Sequence, residues 1–128
     1  LLVNETEAKE ITSCQDIDQI IEYFRENYPN LKVVITLGCK GSIFVDKENK
    51  ICQEAYNVEA VDSTGAGDTF TGFFVAEFYK NKDVKDCLKL ATKASALSVT
   101  KQGASISIPN IEEVKKFGEE DLWKKKAY

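Results

Sequence analysis

The run Val61-Asp62-Ser63-Thr64-Gly65-Ala66-Gly67-Asp68-Thr69-Phe70 leads from a β-prone segment into an apolar helical one through two glycines and an acid. The first turn of a helix carries unpaired backbone N–H groups and the positive end of the helix dipole. Small residues let an anion approach that backbone closely, which is the physics of a phosphate site. The run lacks the Lys of the Walker A pattern and the spacing of the dinucleotide pattern GxGxxG. Its unusual member is Asp68, directly after the second glycine. Taken alone, Asp68 reads as an N-cap, a position that Asp favours. Beside an anion site, however, a carboxylate repels the ligand. It makes sense there if Asp68 takes a proton from a hydroxyl that then attacks phosphorus, while the loop amides hold the charge of the transferring phosphoryl group.

The segments on either side set this loop in an alternating pattern. Asn4 to Ile11 is a first short element. Ile17, Ile20, Ile21 and Phe24 recur at i, i+3, i+4 and i+7, which predicts a helix from about Ser13 to Tyr28, stopped by Pro29-Asn30. Lys32 to Leu37 is a β-branched run that reads as a buried strand. Gly38 to Gly41 is a turn, Ser42 to Val45 a second strand, Asp46 to Lys50 a polar hairpin loop, and Ile51 onward pairs back. Val58 to Val61 is another short strand. After the glycine loop, Phe70, Phe73, Phe74, Val75 and Phe78 surround the axis of a helix from about Asp68 to Tyr79, which predicts a buried helix. A long helix from Val84 to about Thr100, ended by Gly103, and a short one from Ile111 to Phe117 complete the chain. Strands alternating with helices imply an α/β layer architecture. The order is that of half a sheet, so the other half is expected upstream of Leu1.

Composition narrows the chemistry. The 128 residues fit one domain, and 43% hydrophobic with 30% charged residues describes a globular chain. The net charge of −4 gives no electrostatic footprint for nucleic acid or an anionic membrane, and the basic run Lys124-Lys125-Lys126 reads as a solvated end. No apolar run is long enough to span a membrane. With no His, a His triad or His metal site is excluded within these residues. Cys14, Cys39, Cys52 and Cys87 lack the close spacing of zinc or redox motifs and read as reduced thiols of a cytoplasmic protein.

Residues Asp62 to Phe70 resemble the C-terminal signature of the ribokinase (PfkB-type carbohydrate kinase) family. Three further stretches fall in that family's order: Asn4-Glu5-Thr6-Glu7-Ala8 resembles its Asn-x-x-Glu motif, Thr36-Leu37-Gly38-Cys39-Lys40-Gly41 its nucleotide-side turn, and Lys101 to Pro109 its closing segment. The resemblance implies the C-terminal part of a three-layer α/β/α fold, with a mostly parallel central sheet and a β-hairpin. Residues 1–128 would be its nucleotide- and phosphate-binding portion, without the sugar-binding half and lid. It implies Asp68 as general base, Gly65, Ala66 and Gly67 as the anion hole, and Thr36 and Gly38 beside ATP. Lys40 could reach a phosphate, but a solvated side chain is the plainer reading. Asn4 and Glu7 would act near Mg²⁺, through water, although Asn-x-x-Glu is also a capping pattern. A K⁺ ion would be held mostly by backbone carbonyls, at Asp62, Thr64, Ser98, Lys101, Gly103 and Ser107.

The activity so implied is transfer of the γ-phosphate of ATP to a sugar hydroxyl, with ribose converted to ribose 5-phosphate. Fructokinase or another sugar or nucleoside kinase of the family is the alternative. A non-catalytic nucleotide- or anion-binding module is the alternative of another class, and the charge of Asp68 argues against it. The implied partners are ATP and a small sugar, with room for a homodimer in a full-length protein. The fragment alone is expected to be inactive.

Overall fold

Val33, Val34 and Ile35 are all buried although successive side chains on a strand point to opposite faces. Such a strand needs an apolar layer on each side, and the chain supplies both. Val33 and Ile35 pack with Val3, Ala8, Ile20 and Phe24 on one face. Val34 packs with Phe44, Phe70, Phe74 and Leu88 on the other. The result is a three-layer α/β/α arrangement. The fully buried Ile20, Ile35 and Leu88 each contribute about 1.5–3 kcal/mol through removal of apolar surface from water.

The computed structural model describes residues 1–56, 58, 65–80, 83–100, 109–116 and 125–126. The elements are β1 (Leu2–Asn4), α1 (Glu5–Thr12), α2 (Ile17–Asn27), β2 (Val33–Thr36), β3 (Ser42–Val45), β4 (Lys50–Gln53), β5 (Ala55–Tyr56), α3 (Ala66–Lys80), α4 (Val84–Val99), α5 (Ile111–Lys116) and β6 (Lys125–Lys126). The four-stranded sheet has the order β1-β2-β3-β4. Its β1–β2 pair is parallel, with Val3 beside Ile35, and its β2–β3 and β3–β4 pairs are antiparallel. The expected hairpin is therefore β3–β4. Arg25 of α2 pins its loop, donating to the carbonyls of Asp46 and Asn49 at 3.1 Å each.

Several boundaries differ from the sequence expectation for local reasons. A strand, β1, precedes the first helix. The second helix begins at Ile17 rather than Ser13, because Ser13 takes a left-handed conformation (φ 57°) that closes α1 and Asp16 then caps α2 by accepting from the Asp18 N–H. Helix α3 is one-sided rather than buried all round: Phe70 and Phe74 face the core, while Val75 is 55% exposed. Turns of about 100° per residue carry Val75 away from the Phe70–Phe74 line. Helix α4 covers Val84–Val99 with Thr100 as its C-cap, in line with the expected extent, and Gly103 lies outside the described residues. The expected strand Val58–Val61 lies outside the described residues except for Val58, which is in no strand; β5 precedes it at Ala55–Tyr56. Lys126 and Lys125 pair with Ala55 and Tyr56 as β6, and Lys124 lies outside the described residues. Among the described residues no helix is long and apolar enough to cross a membrane.

Candidate functional site

Strand ends and a helix start meet at one end of the sheet. β1 stops at Asn4, β2 stops at Thr36, the turn Gly38–Lys40 follows, and α3 starts at Ala66. Asn4, Thr36, Gly38, Ala66 and Gly67 line one cavity of about 380 Å³, a volume ordinary for a small-molecule site. Tyr56, Val58, Phe70, Ala96 and Val99 make its apolar wall. The cavity therefore combines polar groups beside a helix N-terminus with apolar side chains. Burial raises the Tyr56 hydroxyl above its ordinary pKa, so the phenol stays neutral there.

The glycine loop divides its work between two glycines. Gly65 has φ 81°, a left-handed conformation that turns the chain into α3 and favours glycine. The Thr69 N–H donates to the Gly65 carbonyl at 2.9 Å. Ala66, Gly67 and Asp68 are thus first-turn residues, whose amides have no partner within the helix. A Cβ on Gly67 would meet nothing within 4 Å. Its missing side chain leaves room for a ligand rather than relieving the backbone. Asp68 is exposed, one residue beyond the cavity lining, where the helix dipole favours an acid.

The Asn4–Glu7 pair forms the reciprocal capping box. Asn4 Oδ1 accepts from the Glu7 N–H at 2.8 Å, and Glu7 Oε1 accepts from the Asn4 N–H at 2.9 Å. The same box recurs at Asn110 and Glu113, with distances of 2.9 and 3.1 Å. Capping therefore accounts for the Asn4–Glu7 spacing. What sets Asn4 apart is its place on the cavity wall. A carboxylate has lone pairs beyond the one used in the box, so the pair fits an ion held through water.

Thr36 and Gly38 sit on the cavity wall, and Lys40 is exposed. Ser98 is buried, its hydroxyl donating to the Ser95 carbonyl at 2.8 Å and keeping its lone pairs. Asp62, Thr64, Lys101, Gly103 and Ser107, the rest of the expected K⁺ set, lie outside the described residues. Among the described residues no cluster of His, Cys, Asp or Glu could hold a metal directly.

Sequence reasoning passed over Gly41, which has φ 103°. A Cβ there would overlap the Gln53 carbonyl oxygen and come within 3.0 Å of the Ala55 nitrogen. It also passed over the apolar wall. The small and branched Ala96 and Val99, three apart on α4, were the available signal.

A family profile described as pfkB family carbohydrate kinase matches residues 1–111. The chain belongs to that family. It is 41% identical over 120 residues to a ribokinase of Staphylococcus aureus, covering 89% of this chain and 39% of that protein. The crystal structure of a Thermotoga maritima ribokinase superposes with a TM-score of 0.85 at 34% identity, covering 93% of this chain and 41% of that one. An Arabidopsis thaliana ribokinase complexed with ribose and ATP superposes with a TM-score of 0.82 at 33% identity, covering 91% and 39%. The pfkB membership and the ribokinase-like fold expected from the glycine loop are thus borne out. The chain spans about two fifths of the length of the relatives it matches.

Proposed function

We propose that this chain is the nucleotide- and phosphate-binding portion of an ATP-dependent sugar kinase whose acceptor is ribose. The observation that carries the reading is the gathering of Asn4, Thr36, Gly38, Ala66 and Gly67 around one cavity, with Asp68 one residue beyond it. The apolar side chains receive the base of ATP and the start of α3 its phosphates. Asp68 accepts the proton of the acceptor hydroxyl. The hydroxyl oxygen then forms a bond to the γ-phosphorus as the bond from that phosphorus to ADP breaks. The first-turn amides of Ala66, Gly67 and Asp68 hold the charge that develops on the phosphoryl oxygens. Mg²⁺, held through water near Asn4 and Glu7, would neutralise phosphate charge. K⁺, held by carbonyls flanking the loop, would order the same amides from behind.

Ribose as acceptor is supported by the names of the relatives and by the complex of the Arabidopsis protein with ribose and ATP. The acceptor pocket belongs to the remainder of a full-length protein, and a cytoplasmic location suits four unbridged thiols. The test is ADP release by the full-length enzyme against ribose, fructose, deoxyribose and nucleosides. Ribose is expected to give the highest kcat/KM. A higher value for another sugar would reassign the acceptor, and tight ATP binding without transfer to any of them would make the protein a binding module.

A further inference from the structure

One face of α4 borders the cavity on consecutive turns. Thr92, Ser95, Ala96 and Val99 all line it, at the i, i+3, i+4 and i+7 spacing of a single helix face. Ala96 packs with Tyr56 beside Val58, so this face is part of the apolar wall. Pockets for small molecules are mostly apolar, with a few placed polar groups that fix orientation. On this face the polar groups are the hydroxyls of Thr92 and Ser95.

The two hydroxyls are used differently. A Ser or Thr inside a helix commonly bonds back to a carbonyl of the preceding turn. Thr92 does so, its Oγ1 donating to the Leu88 carbonyl at 2.6 Å. Ser98, which is not on the cavity wall, donates in the same way to the Ser95 carbonyl at 2.8 Å. Ser95 is the remaining hydroxyl residue of α4. Its side chain makes no hydrogen bond to any described residue. Ser95 is also half-buried rather than enclosed. It thus keeps a donor and its lone pairs on the wall of the cavity, within reach of a ligand there.

We propose that Ser95 is a specificity-determining residue for the phosphoryl donor, its hydroxyl hydrogen-bonded to the edge of the nucleotide base. The inference rests on the nucleotide reading of the cavity, in which the apolar side chains receive the base. A hydroxyl mounted on a helix has a fixed place. Adenine, guanine, cytosine and uracil bring different edge atoms to that place, at different depths. The base whose edge reaches the hydroxyl gains a hydrogen bond that the others lack, which makes the nucleotides unequal as donors.

The test uses the full-length enzyme with ATP, GTP, CTP and UTP as alternative donors to ribose, beside ADP titration. For Ser95→Ala the ligand-free Tm should equal or exceed that of the unsubstituted protein, because no hydrogen bond within the protein is lost and Ala favours a helix. KM for the preferred triphosphate should rise about tenfold, the equivalent of one hydrogen bond, with kcat and the ribose KM unchanged. KM for the least preferred should barely move, so the preference narrows by about the same factor. Ser95→Cys keeps a weak donor and should fall between the two proteins. An unchanged KM for the preferred donor overturns the proposal. So does an equal rise for all four, which would put the hydroxyl on the sugar or phosphates that they share. A lower ligand-free Tm for Ser95→Ala makes the hydroxyl structural and overturns it as well. If the unsubstituted enzyme neither binds ADP nor uses any of the four, the nucleotide reading itself is wrong, an outcome distinct from equal KM values in the two proteins.

Discussion

Replacing Gly41 by Ala adds one methyl group where the backbone has no room for it. Gly41 has φ 103° and ψ −140°, a region essentially reserved for glycine, and a side chain held there costs about 1–3 kcal/mol. The new Cβ would also overlap the Gln53 carbonyl oxygen and crowd the Ala55 nitrogen at 3.0 Å. Those atoms are backbone, so relief requires moving the β4–β5 segment, at a further cost of about 1–3 kcal/mol. The sum of about 2–6 kcal/mol is a large share of a typical stability of about 5–15 kcal/mol. Gly38→Ala is the internal control. Its φ is 61°, and a Cβ there meets nothing within 4 Å, so it carries only the left-handed cost of about 1–2 kcal/mol. Urea unfolding of the two full-length variants should rank Gly41→Ala well below Gly38→Ala. ADP titration should show the Gly41 variant binding more weakly, because moving β5 moves Tyr56 in the cavity wall. Equal midpoints for the two variants would refute the steric reasoning.

Gly67→Val should leave the urea midpoint within about 1 kcal/mol of the parent, the scale of helix propensity differences, while weakening ADP binding by obstructing the phosphates; unchanged binding would put the anion site elsewhere. Asp62→Ala should remove activation by K⁺ at fixed Mg²⁺ more than it raises the sugar KM, measured with and without K⁺; equal loss in both conditions would reduce Asp62 to a turn residue. At neutral pH a maleimide should label the exposed Cys39 and Cys52 but spare the buried Cys87 until unfolding. Burial, and then the carboxylates of Glu77, Asp83 and Asp86, raise the Cys87 pKa above its usual 9.0. The folded state therefore keeps the proton longer than the unfolded chain does, so Cys87 should lower stability as pH climbs above about 9; a flat urea midpoint through that range would contradict this.

The glycine loop was legible because its chemistry is local. Two glycines, small neighbours and an acid within a few residues suffice to suggest a helix start and an anion site. The β-branched run at Lys32–Leu37 likewise announces a strand, and burial on both faces of Val33–Ile35 follows from its unbroken apolar character. What escaped depends on distance in the chain. The demand for glycine at Gly41 comes from Gln53 and Ala55 across the hairpin, and no reading of residues 36–41 contains them. The cavity wall joins Tyr56, Phe70 and Ala96 from three elements. The one-sidedness of α3 was hidden because Phe73 and Val75 broke the apolar spacing. Asn4-x-x-Glu7 shows the opposite limit, since its motif is fully met by a capping box that recurs at Asn110, and only the fold sets Asn4 on the cavity.

The role of Asp68 is the center of the account, and one substitution addresses it. Asp68→Asn keeps shape and helix-start chemistry but removes the proton acceptor. Steady-state kinetics of the full-length enzyme with ATP and ribose, beside ADP titration of the same protein, separate transfer from binding. For Asp68→Asn, kcat should fall by about 10²–10⁴-fold, the usual scale of general-base catalysis, while ADP should bind no more weakly, since the substitution removes a charge that repels the phosphates. A near-normal kcat would contradict the assignment of Asp68 as base.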